Sequence, residues 1–147
     1  MINHYLIITP LYASILAIIF VGLSLRVIRL RRSLKISLGT DEHLINKNIK
    51  QEIDGHQLIL RAVRVHANFS EYVPLAIVLM ICSEISGASI WLLHSIGMLL
   101  LVGRLSHAYG VSQLNEIFKY RVLGMAMTFI SILLTAFFLI INYFSIV

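Results

Sequence analysis

Between Asp54 and Pro74 the chain carries Arg61, Arg64, Asn68, Glu71 and Tyr72. Wound as a helix at about 100° per residue with Arg61 at the origin, Arg64 falls at about 300° and Asn68 at about 340°. On the same wheel Glu71 falls at about 280° and Tyr72 at about 20°. These five side chains share one arc of about 100°, with Ala62, Val65, Phe69 and Val73 on the apolar side. A guanidinium donates bidentately to a carboxylate. Asn68 can donate and accept, and Glu71 can hold an ammonium group. A ligand with carboxylates, amides and an amine matches this set. The competing reading is an ion pair that fixes helix register, with Glu71 held by Arg64 or Arg104.

Further chemistry is confined to a few positions. Arg104 and His107 stand three apart, so they share a helix face, while Tyr109 turns away from it. Arg29 and Arg121 carry the remaining cations that the topology brings to the same level. His66, at about 140°, lies off the stripe. Ser70 and His66 lack a third group for a hydrolytic triad. His56 and His66 do not make an i,i+4 pair, so no metal site is expected. Cys82 is the single cysteine, which excludes an intrachain disulfide, and it reads as a packed apolar residue. Lys119 reads as a solvated or lipid-facing charge.

Such polar residues need elements to position them, and the composition says what those are. Of 147 residues, 59% are hydrophobic and only 13% carry charge. Soluble domains run at roughly 45–50% apolar and about 25% charged, so a soluble globular domain is excluded. Disorder is excluded by the same hydrophobicity. Met1 to Leu25 holds no charged residue. Ile85 to Gly103 is an uncharged run of 19 residues, and Val122 to Val147 one of 26. Roughly 20 helical residues cross a bilayer core, so each run can span. Tyr72 to Ser83 gives only 12 uncharged residues. If that segment spans, its polar flank from Arg61 onward lies at or inside the membrane. Ionisable residues there face a bundle interior or a wet cavity.

The expectation is one all-α integral membrane domain over 1–147, a four-helix transmembrane bundle. The spans are expected at about 4–27, 56–85, 89–108 and 121–144. The first reads as a retained helix, since it lacks a basic N-terminal region and a small-residue cleavage site. Arg26, Arg29, Arg31, Arg32 and Lys35 follow it with no acid among them. No Lys or Arg lies between spans two and three, and Arg104, Lys119 and Arg121 surround the third loop. The loops at about 28–55 and 109–120 are therefore cytoplasmic, and both termini lie on the other side. The formal charge of +5 is a topology signal first and a contact with anionic lipid second. It gives no support for a nucleic-acid partner. Ile36 to Ile53 reads as an exposed, polar, partly mobile connector. Gly87 marks a tight turn, and Gly110 is expected to end the third helix.

The stretch Arg61-Ala-Val-Arg64-Val-His66-Ala-Asn68-Phe-Ser-Glu71-Tyr72-Val-Pro74 resembles the hallmark of the membrane-associated proteins in eicosanoid and glutathione metabolism. Ile28-Arg29-Leu30-Arg31-Arg32 is similar to bacterial members, as are Gly103-Arg104-Leu105-Ser106-His107-Ala108-Tyr109-Gly110 and Arg121-Val-Leu-Gly. The likeness covers nearly the whole chain. It implies a homotrimer in a lipid bilayer, in bacteria the inner membrane, with glutathione bound as co-substrate between subunits near the cytoplasmic face. Arg64, Asn68, Glu71 and Tyr72 would be its ligands, with Arg29, Arg104 and His107 as further contacts. Arg121 and Tyr109 would be the catalytic pair, Arg121 helping to activate the thiol.

The implied function is a membrane glutathione transferase, or peroxidase, acting on an apolar electrophile or hydroperoxide. A thiol attacks as its thiolate and titrates near about 8.5 when free. A nearby arginine favours the anion. The alternatives are a non-catalytic member of the same fold that binds a lipid or a partner protein, and a small transporter or structural membrane protein. The polar stripe favours ligand binding over the last of these.

Overall fold

Four helices follow from the four apolar runs. A computed structural model describes residues 6–35, 49–115 and 117–146. It contains α1 (Ile8–Leu34), α2 (Ile49–Ile85), α3 (Ile90–Ser112) and α4 (Phe118–Ile146). Each is long and apolar enough to cross a membrane. Inside a bilayer only a helix satisfies its own backbone donors and acceptors along a single segment, so long apolar runs fold this way.

α1 stays helical through its basic end. It stops at Lys35, a left-handed residue (φ 55°) whose N–H reaches the carbonyls of Arg31 and Arg32. Two cations in the last turn complement the negative end of the helix dipole. Residues 36–48 of the connector expected from the sequence lie outside the described residues. From Ile49 to Ile53 the backbone is helical rather than part of that connector.

α2 and α3 are joined by a tight turn. Gly87 takes φ 83°, its N–H reaches the Glu84 carbonyl at 3.2 Å, and the Ala88 N–H reaches the Ser83 carbonyl at 3.0 Å. This is the paired bonding of a glycine-terminated helix. Ser89 then opens α3, its hydroxyl accepting from the Leu92 N–H.

α3 does not end at Gly110, as expected from the sequence, but runs on to Ser112. Gly110 is there for space. A Cβ on it would stand 2.6 Å from the Arg121 backbone N, where α4 crosses. The helix end is held from outside instead. Arg26 of α1 donates to the Ser112 hydroxyl and, at 3.2 Å, to its carbonyl. Arg61 of α2 donates to the Val111 carbonyl at 3.4 Å.

The core lies where α1, α2 and α3 meet, around Leu16, Phe69, Met80, Leu93, Ile96 and Leu100. α4 packs on the other side against α3 and α2, and among the described residues it does not touch α1. The α3–α4 seam is close because Gly103 and Gly124 face it. A Cβ on Gly124 would stand 2.4 Å from the His107 N. Small residues are what allow backbones in a membrane to approach this closely.

Candidate functional site

The polar stripe of α2 opens into a cleft of about 540 Å³ lined by α2, α3 and α4. Arg61, Arg64, Asn68 and Glu71 line it from α2, at the angular spacing that put them on one arc. His107 comes from α3 and Arg121 from α4. Leu60, Ala67 and Val111 supply its apolar wall. Three guanidinium groups against one carboxylate make the cleft net cationic. It therefore favours an anion, with Glu71 as the place for a donor.

Arg64 and Glu71 are both exposed in the cleft, and Asn68 is half-buried. No ion pair joins Glu71 to Arg64 or to Arg104 among the described residues, which corrects that expectation. Arg104 is turned elsewhere, with Nη1 donating to Asn68 Oδ1 at 2.8 Å. His107 is buried, and its Nδ1 lies 3.4 Å from the Arg121 carbonyl.

Four of the expected residues stand outside the cleft lining: Arg104, Tyr72, Tyr109 and Arg29. Tyr72 is wedged between Arg104, whose guanidinium carbon lies 5.7 Å from its ring centroid, and Phe129 at 5.6 Å. Tyr109 is exposed and meets Tyr120 edge-on at 5.5 Å. Arg29 is exposed on α1, a helix that contributes nothing to the lining. Lys119 is exposed and also outside it.

His66, off the stripe by angle, belongs to the α1–α2 seam. Its Nε2 is 3.0 Å from the Ser24 hydroxyl, and its ring stacks on Phe20 at 4.7 Å. The Ser70 hydroxyl donates to the His66 carbonyl, so it is used within the helix. Cys82 is exposed rather than packed, on the side of α2 away from the buried Met80 and Ser83. No group of metal-binding side chains forms among the described residues.

Sequence comparison bears on the whole of this arrangement. The MAPEG family model matches residues 9–141, which reaches into all four helices and takes in every residue of the cleft. The chain belongs to the MAPEG family. Its relatives include the inner membrane protein YecN of Escherichia coli K12, 35% identical over 127 residues and covering 86% of each chain. The same protein from Escherichia coli O6:H1 matches equally. No solved structure matches the chain.

One further residue, Arg26, shapes the site without a signal in the sequence. Arg26 and Arg61 hold the last turn of α3 and so fix where His107 and Val111 face the cleft. Arg26 reads locally as one more topology charge. Its partner Ser112 lies 86 residues away, beyond the reach of any local pattern.

Proposed function

We propose that this protein binds glutathione in the cationic cleft and activates its thiol for attack on an apolar electrophile or hydroperoxide. One observation carries the reading: Arg61, Arg64, His107 and Arg121 surround Asn68 and Glu71 in a single cleft. Glutathione offers carboxylates to the guanidinium groups, amides to Asn68 and an ammonium group to Glu71. Cations close to a bound thiol favour the thiolate over the thiol. Arg121 is the residue assigned to that task. With a carbon electrophile the thiol proton leaves to solvent, the sulfur bonds to the carbon, and the leaving group departs with its electron pair. With a hydroperoxide the thiolate takes the terminal oxygen, and the O–O bond breaks to release an alcohol after protonation. A second glutathione then reduces the sulfenic acid to give the disulfide and water.

The bilayer brings the second substrate, because an apolar electrophile concentrates there. The reading places the protein in the inner membrane, as the name of its relative YecN suggests, with the cleft at the cytoplasmic face. It includes a homotrimer, in which the exposed Tyr109 is offered to a neighbouring subunit's cleft.

A specific observation supports a second reading, a member that binds without catalysis. No hydroxyl-bearing side chain lines the cleft among the described residues. Glutathione titrated with the purified protein in detergent separates the two. Thiolate absorbance that saturates with protein supports catalysis. Saturable binding with no thiolate signal supports the second reading, and absence of binding refutes both as glutathione functions.

A further inference from the structure

Arg104 is 1% exposed, and its charge has no acidic partner among the described residues. Burying a cation is costly, and a carboxylate ordinarily offsets that cost. Here the guanidinium lies over the Tyr72 ring, and its one short hydrogen bond goes to a neutral side chain. Nη1 donates to Asn68 Oδ1 at 2.8 Å and to the Asn68 carbonyl at 3.4 Å. Nη2 reaches only the Met125 sulfur at 3.4 Å, and Nε has no partner. Arg104 does not line the cleft, whereas Asn68 does.

An asparagine amide presents an acceptor on one side and two donors on the other, in nearly the same shape. Left alone it can turn either way. A guanidinium that only donates admits only the oxygen. Asn68 therefore turns its oxygen to Arg104 and keeps its NH2 group for another partner. We propose that Arg104 is a positioning residue: it fixes Asn68 as a donor to the bound anion, and so makes that part of the cleft select an acceptor. This rests on the glutathione reading above.

The test is a double-mutant cycle on the full chain in detergent, read as glutathione affinity by calorimetry. Unfolding temperature is measured in parallel. Arg104→Met removes the charge and the donor while filling the space. It should lower affinity about tenfold, the loss expected when a charge-assisted contact is lost. Its unfolding temperature should hold or rise, because an unpaired buried cation has gone. Arg104→Lys keeps one donor and should recover part of the affinity. In an Asn68→Ala background, Arg104→Met should cost little more, because the residue acts through Asn68.

Losses that add in the double variant would overturn the proposal, as would an Arg104→Met protein with native affinity. If neither Arg104 variant accumulates as folded protein, Arg104 holds the fold and the positioning role is refuted. Native protein with no glutathione affinity would refute the functional reading and this inference with it. Native affinity with an additive cycle would refute this inference alone.

Discussion

The Glu84 carboxylate closes the first turn of α1 at Thr9, 75 residues away in the chain: Oε2 accepts from the Thr9 N–H at 2.8 Å. Oε1 accepts from Ile7 and Ile8 at 2.7 and 2.8 Å. A helix start leaves its first N–H groups without partners, and a carboxylate there also meets the positive end of the dipole. The end of α2 thus caps α1 and pins the start of α1 beside it.

Glu84→Ala should destabilise the protein by about 2–4 kcal/mol, since buried donors lose a charged acceptor. Glu84→Gln keeps one acceptor and should cost roughly half as much. Unfolding in detergent measures both. A Glu84→Ala protein as stable as the native chain would show that water alone satisfies these groups.

The glycines divide into two kinds, and substitution should separate them. Gly124 has no room, because a Cβ would stand 2.5 Å from the Gly103 carbonyl oxygen. Gly124→Ala should push α4 off α3 and cost more than about 2 kcal/mol, the scale of overpacking. Nothing lies within 4 Å of a Cβ on Gly22. Gly22→Ala should be neutral or stabilise by up to about 1 kcal/mol. Equal effects in a thermal melt would mean that the α3–α4 seam is looser than its geometry.

Both chain ends are expected on the non-cytoplasmic side. The basis is five basic residues between Arg26 and Lys35 against none between α2 and α3. A C-terminal alkaline phosphatase fusion should be active and a fluorescent reporter that folds only in the cytoplasm dark. The reverse pattern would invert the topology and put the cleft on the outer side.

How far the sequence could be read depends on the range of each interaction. The helices were legible because a span is a local property of about 20 residues. The cleft-lining face of α2 was legible too, because helical rotation fixes which way Arg61, Arg64, Asn68 and Glu71 point. Rotation does not fix depth. Tyr72 shares the arc yet lies beneath Arg104 and beside Phe129, and Arg104 shares a face with His107 yet does not line the cleft. The capping by Glu84, the Arg26–Ser112 bond and the hydrogen bond between Tyr12 and His94 at 3.1 Å join residues more than 70 positions apart. No spacing rule within one helix could announce them. Gly110 misled for a related reason: its role is set by α4 passing over it, not by its own helix.

The decisive comparison for the cleft is Arg64 with Lys119. Both are exposed cations, so their substitution should cost the fold little. Arg64 lines the cleft and Lys119 does not. In the unliganded protein Arg64 has no ion pair with Glu71 to lose, so stability should stay near native in Arg64→Ala. Glutathione affinity should fall about 10- to 100-fold, the loss of a bidentate contact to a carboxylate. Arg64→Lys keeps the charge but not the planar fork, and should recover only part of it. Lys119→Ala should bind as the native protein does. Affinities of the three variants by calorimetry, with oligomeric mass followed alongside, decide the matter. If Arg64→Ala and Lys119→Ala bind alike in folded protein, the cleft is not the glutathione site, and the stripe on α2 serves packing between subunits instead.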